Sequence, residues 1–390
     1  MRAILTILAL WAAGLGAAAQ FGKISIAYQS LGLAYPAEAG VWIGLMVSIV
    51  GMVGLVFGTT AGLVVARIGA RRAILAALVL GAAVSLVESL LPPYPLMMLA
   101  RVLEGVSHLA IVVVGPTAIA AVAPPSRQAA AMTLWSSFFG LTYAVLAWIG
   151  PGILESGGVA GLFRLHGLWL LLCAAALWPL MPGDLRPVAS PGQSSFLRQH
   201  LEIYASPFIA APATGFVCYT MTYVAVLTLM PATMGAWGHF VGVALPLVSI
   251  GVSLTLGVWL LGRISAVRLA KGGFAVASIA TLLMWATWGQ GLPMVAAALL
   301  LGASLGIVQG ASFSSIPQLN KTPQDRVRAA GAIVQLGNLG TVTGTPFLAL
   351  LLQWAGLTGL ALFLLGFSLL GVLILWLQAS RRAALGLIPG

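Results

Sequence analysis

Arg101, Glu104 and His108 recur at i, i+3 and i+7 within one apolar run, which puts all three on one face of a helix. An earlier run carries Gln20 and Lys23 three apart, on a stripe that continues to Gly16, Ala27 and Ser30. These types allow a short menu of chemistry. Glu104 and His108 can take up or release a proton when partners or burial shift them, which makes them the proton-coupling candidates. Lys23 and Arg101 can hold an anionic group, Arg through two parallel hydrogen bonds, so with Gln20 they are the solute-binding candidates. A static Arg101–Glu104 or Lys23–Glu104 pair that fixes two helices together is the competing role. Glu88 lies near the end of its run and is expected to reach lipid headgroups.

The second half of the chain offers neutral groups instead. Tyr219 and Tyr223 stand one turn apart, Gln309 is followed by Ser312, and Gln335, Asn338, Thr341 and Thr345 share about a third of a helical wheel. Tyr219, Tyr223, Gln309, Gln335 and Asn338 are the solute-binding candidates here. Interhelical hydrogen bonding, at about 1 kcal/mol each, is the alternative use of such residues.

The elements that must position these groups are set by composition. Charged residues make up 6% of the 390, against roughly 25% in a soluble domain. The hydrophobic set makes up 61%, with 47 glycines besides. That excludes a soluble enzyme, a disordered tail and a disulfide scaffold, and leaves a protein that uses lipid as solvent. Cys173 and Cys218 sit in apolar runs and form no metal or disulfide framework. The net charge of +11 comes from basic residues scattered singly between apolar runs, a pattern of membrane topology rather than of nucleic-acid binding. No phosphate-binding glycine loop and no metal-ligand spacing occurs, so neither a cofactor nor an enzymatic activity is expected.

A helix needs about 20 apolar residues to cross the hydrocarbon core, and the runs show none of the alternation of a barrel strand. Twelve spans are expected, at about 3–29, 40–66, 73–91, 96–123, 129–153, 164–182, 205–230, 239–262, 272–289, 293–317, 329–353 and 356–378. With the N-terminus in the cytoplasm, Arg2, Arg67, Arg71, Arg72, Arg127, Arg186, Arg198, Arg263, Arg268, Lys271, Lys321, Arg326, Arg328, Arg381 and Arg382 all fall on the cytoplasmic side. Only Arg164 falls opposite, and this bias places both termini in the cytoplasm. Residues 17–19 resemble a signal-peptide cleavage site, but cleavage would leave eleven spans and scramble the charge bias, so the first helix is expected to be retained.

The chain also repeats itself. Arg67-Ile68-Gly69-Ala70-Arg71 is echoed by Arg263-Ile264-Ser265-Ala266, and Gly105-Val106-Ser107 by Gly302-Ala303-Ser304, at offsets of about half the chain. By that offset Glu104 aligns with Leu301 and His108 with Leu305. The expected organisation is a six-helix bundle over 1–182, a cytoplasmic linker over 183–204 and a second bundle over 205–390. Repeated membrane halves are a mark of secondary transporters.

Here the sequence resembles the major facilitator superfamily. Gly62 to Arg72 looks like that family's signature loop between spans 2 and 3, Arg101 and Gly105 match its span-4 motif, and Gly150-Pro151 is similar to a fragment of its exporters' span-5 motif. The resemblance implies two pseudo-symmetric six-helix bundles rocking about a central cavity lined by spans 1 and 4. It also implies a gating role for Arg67, Gly69, Arg71 and Arg72. Ala66 replaces the family's usual Asp, which puts that carboxylate latch in doubt. The combined expectation is an all-α, proton-coupled secondary transporter in a bacterial inner membrane, monomeric as the family implies, for a small anionic or zwitterionic organic solute. A drug or metabolite exporter and a non-transporting sensor or assembly factor are the alternatives.

Overall fold

Backbone amides have no water to bond within a bilayer, so continuous apolar runs fold as helices. The computed structural model, described for residues 1–183 and 196–385, is helical throughout without a strand among the described residues. The chain divides into two compact units, Met1–Ser190 and Pro191–Gly390.

In the first unit α1 (Arg2–Ile26) is followed by the short α2 (Tyr28–Ala34). The second span is broken into α3 (Val41–Ser48), α4 (Gly51–Phe57) and α5 (Ala61–Ile68). One continuous helix over 40–66 was the expectation. Gly51, Gly54 and Gly58, followed by Thr59 and Thr60, give that stretch a weak helix propensity, and it is segmented. Gly69, at φ 89°, turns the chain sharply into α6 (Ala70–Glu88). Then come α7 (Tyr94–Val122), α8 (Gln128–Ser136) and α9 (Phe138–Leu180). At 43 residues α9 is twice the length of a crossing, and Gly158, at φ 61°, breaks it into helices 138–157 and 159–180.

The second unit begins with α10 (Phe196–Ala205) and α11 (Ala211–Thr233). α12 (Gly238–Val252) runs through a π-helical turn into α13 (Val258–Leu261), and α14 (Ala266–Ala286) and α15 (Leu292–Leu319) follow. α16 (Pro323–Ala384) is again a double length, broken at Gly356 with φ 54°. Nine helices among the described residues are long and apolar enough to cross a membrane. Splitting the two double-length helices at their glycines and adding the segmented second span accommodates the twelve expected crossings. The expected linker falls largely on 184–195, outside the described residues; its end is the amphipathic α10.

Lipid tails are as apolar as leucine, so helices in a bilayer are held by close packing rather than by the hydrophobic effect. Small residues make that possible. Gly105 on α7 lies against the backbone carbonyl of Val50, where a Cβ would clash. Gly302, its counterpart on α15, lies in the same way against the carbonyl of Leu245, at 3.1 Å from where a Cβ would stand. The repeat in the sequence is therefore a repeat of helix contacts. α1 and α6 both pack against α7 and α9, with Leu10, Ala13, Ile74, Leu78, Ile111 and Leu170 in the core between them.

Candidate functional site

Four charged side chains of the first unit are fully buried and joined in one network. Lys23 on α1 sends its ammonium to Glu88 Oε2 at 2.5 Å and to Glu104 Oε1 at 2.7 Å. Arg101 pairs through Nη1 with Glu104 Oε2, and lies 3.6 Å from Glu88 Oε1. Two cations thus face two carboxylates with zero side-chain exposure.

Glu88 corrects the expectation from sequence. It does not reach headgroups, because it is buried against Lys23. Position explains why. Glu88 is the last residue of α6, Lys23 lies three residues from the end of α1, and Arg101 lies seven residues into α7. At 1.5 Å per residue Glu88 and Arg101 both stand within about 10 Å of the loop that joins α6 to α7, and Lys23 meets them at that depth. His166, eight residues after the break at Gly158, reaches the same level and was not singled out from sequence. A match of depths between helix ends is the signal that would have found both residues.

Neutral groups complete the network. Lys23 also donates to Ser85 Oγ at 2.9 Å and faces His166 Nδ1 at 3.2 Å. The other ring nitrogen, Nε2, lies 3.0 Å from the carbonyl of Gly16. A carbonyl only accepts and an ammonium only donates, so these partners select the neutral His166 that carries its proton on Nε2. Arg101 spends its remaining donors on backbone: Nε to Met46 at 3.0 Å and Nη2 to Gln20 at 2.7 Å. The Met46 carbonyl belongs to the segmented span. The Gln20 side chain donates to Ser107 at 3.1 Å. His108, one turn beyond Glu104, bonds the carbonyl of Ala17 at 3.0 Å and meets Phe21 edge-on, outside the ionic network.

The two-against-two arrangement has a chemical consequence. With both carboxylates ionised and His166 neutral the network is balanced, and one proton added to either carboxylate leaves one net positive charge. In a low-dielectric interior that charge acts over several ångströms.

The gating candidates of the first unit lie outside this network. Gly69 makes the turn before α6, Arg67 and Arg72 are exposed, and Arg71 donates to the Trp178 carbonyl at 2.6 Å while lying over that ring. In the second unit Tyr219 and Tyr223 are buried and stacked at 5.1 Å, with Phe216 continuing the stack at 5.1 Å. Gln335 accepts from the Tyr204 hydroxyl at 2.8 Å and meets His200 of α10 at 3.2 Å. Asn338 bonds the Val334 carbonyl of its own helix at 2.8 Å, and Gln309 is half-buried on α15.

The family model of the Major Facilitator Superfamily matches residues 6–321. The chain belongs to the major facilitator superfamily. Membership makes it a multi-pass membrane transporter and not an enzyme. Two solved structures of the superfamily's fold are similar along nearly the whole chain. One is a bacterial homolog of the human lysosomal transporter Spinster, inward-facing and unoccupied, with a TM-score of 0.72, 14% identity, and coverage of 97% of this chain and 96% of that one. The other is a single-substitution form of the Escherichia coli fucose:proton symporter, with a TM-score of 0.67, 14% identity, and coverage of 97% and 99%. No curated protein matches by sequence. At this identity the likeness speaks to fold, and a superfamily fold hosts many solutes, so the solute must be argued from the site.

Proposed function

We propose that this facilitator is a proton-coupled secondary transporter that moves a small anionic or zwitterionic organic solute by alternating access, as a monomer in a bacterial inner membrane with both termini cytoplasmic. The observation that carries the proposal is the sealed Lys23–Glu88–Glu104–Arg101 network. Buried charges in a membrane helix are retained where they do work, and carboxylates held against cations are groups that a proton can enter. Glu104 is the proposed proton carrier, Glu88 its neighbour in the same exchange, and His108 a second group one turn along α7 that can hold a proton.

The network also supplies the sign of coupling. Lys23 and Arg101 set against Glu104 alone would leave one positive charge in excess, which favours an anionic solute. Glu88 removes the excess. Proton uptake restores it, so proton binding and anion binding favour one another, which is the thermodynamic definition of coupling between two sites. The neutral groups Gln20, Tyr219, Tyr223, Gln309, Gln335 and Asn338 are proposed to give hydrogen bonds and aromatic contact to the rest of the solute. Arg67, Gly69, Arg71 and Arg72 are proposed to serve the gate between the bundles, taken as 1–182 and 205–390 with 183–204 as linker. The likeness to a fucose:proton symporter adds support for protons but names no solute for this chain.

A thermal-shift screen of metabolites first identifies a stabilising solute, since a ligand that binds only the folded state raises apparent stability. Purified protein in liposomes is then tested with Glu104→Gln. Accumulation against a gradient is expected to stop, while exchange of labelled for unlabelled solute continues. Undiminished accumulation driven by a proton gradient would overturn the coupling assignment, and absence of flux for every solute would favour the sensor or assembly-factor class.

A further inference from the structure

A crevice of about 370 Å³ lies in the first unit between helices 138–157 and 159–180 and reaches inward to α1. Leu15 and Ala19 of α1 form its floor, Leu146 and Ile149 one wall, and Leu165 and Leu168 the other. Ile149 is 43% exposed, Leu165 50% and Leu168 51%, so the crevice is open at the side of the bundle rather than closed within it. Its inner end is the back of the ionic network, Lys23 and His166.

Every polar group that lines it is already engaged. Thr142 donates toward the carbonyls of Leu15 at 3.1 Å and Phe138 at 2.8 Å. The Trp169 indole donates to Ala12 at 2.9 Å. His166 uses one nitrogen on Gly16 and turns the other to Lys23, whose ammonium is shared among Glu88, Glu104 and Ser85. A water needs two to four polar partners to settle in such a place, and a polar solute needs as many. The crevice offers neither. What it offers is a slot of aliphatic walls with a mouth at the side of the first unit, and the chemistry that matches such a slot is hydrocarbon.

A charge stands at the edge of the mouth. Arg164 is exposed and lies one turn before Leu168 on the outer lip of the same helix, at a depth between the lining residues Leu162 and Leu165. Glu155, at the end of the opposite helix, shares its face with Trp148 seven residues earlier, away from the crevice. We propose that this crevice is a binding site for one acyl chain of an anionic phospholipid, with the headgroup phosphate at Arg164 and the chain lying against Ala19. The bound chain would keep water from the rear of His166 and Lys23, so that protons reach the network by other routes. The site does not depend on the transport assignment, and its test reads chemistry rather than flux.

The full-length protein is placed in phosphatidylcholine nanodiscs doped with phosphatidylglycerol that carries a diazirine in mid-chain. It is then irradiated, and adducts are mapped by peptide mass spectrometry. Adducts on 142–153 and 162–172 are expected at about tenfold the yield on the exposed face of α6 around Val79 and Leu86, a ratio that marks a site rather than the lipid annulus. Unlabelled phosphatidylglycerol should compete and phosphatidylcholine should not, and Arg164→Gln should erase that difference. Ala19→Phe fills the floor, and Leu165→Trp fills the mouth from an exposed position that folding tolerates. Each should bring the yield down to the α6 level. Equal yields on the two faces, or adducts that survive both fillings, would overturn the site. Equal competition by the two lipids would overturn the anionic headgroup.

Discussion

At the scale of single residues, the buried network is a set of mutual obligations. Removing Lys23 leaves two carboxylates facing one guanidinium without water, and breaking a buried pair in this way costs about 3–5 kcal/mol. Lys23→Met is therefore expected to lower the unfolding temperature sharply in detergent. Lys23→Met with Glu88→Gln should recover part of the loss, because two opposite charges leave together. Non-additivity in that double-mutant cycle is the measurement, and a purely additive pair would contradict the network. Tyr204 gives a contrasting case outside the membrane spans. Burial pushes its phenol up to about 12, so it stays a donor to Gln335 at physiological pH. Its folded-state pKa is raised, so its contribution is complete below its ordinary value near 10 and is lost as pH rises through about 12. Tyr204→Phe should cost about 1 kcal/mol at neutral pH and should flatten that alkaline loss in a pH series of thermal melts.

At the scale of elements, glycines separate into those that a neighbour requires and those that it ignores. Gly105 touches the Val50 carbonyl, and Gly105→Leu must push α7 away from the segmented span that supplies Arg101 with the Met46 carbonyl. About 1–3 kcal/mol of overpacking is expected, with loss of transport beyond the loss of stability. Gly366, in the helix after the Gly356 break, faces open space, and Gly366→Ala should stabilise by up to about 1 kcal/mol. Parallel denaturation curves test both signs. The same contrast explains what could be read from sequence. Long apolar runs, loop charges and the half-chain offset identify helices, spans and repeat, because each depends on local composition. The breaks within 41–68 and the meeting of Glu88 and His166 with Lys23 depend on packing between helices distant in sequence. Arg101, Glu104 and Lys23 were legible because a charge in an apolar run is conspicuous. Glu88 was discounted for standing at a helix end, and His166 was not singled out at all.

At the scale of the whole molecule, the two units carry different chemistry. Among the described residues the first holds the buried ionic network, and the second holds a stack of Phe216, Tyr219 and Tyr223 with half-buried amides. If the proposed division holds, Gln309→Leu or Asn338→Leu should raise KM for the solute and leave the number of protons per solute unchanged. Glu104→Gln should change that number and, by leaving the network in its protonated charge state, should lower KM for an anionic solute. Measuring solute flux and proton flux together in one liposome preparation separates the two outcomes, and a shift of the proton ratio in the second-unit variants would refute the division.

The even balance of Lys23 and Arg101 against Glu88 and Glu104 bears finally on voltage. One elementary charge moved through a 100 mV membrane potential is worth about 2.3 kcal/mol, while a set of charges that sums to zero and travels together is worth almost nothing. An empty, unprotonated transporter of this kind should therefore reset at a rate indifferent to membrane potential. Only the step that carries the proton, corrected by whatever charge the solute brings, should feel the field. A monovalent anion moving with one proton would cancel even that. Transport current recorded on a solid-supported membrane would then report the charge of the solute before its identity is known.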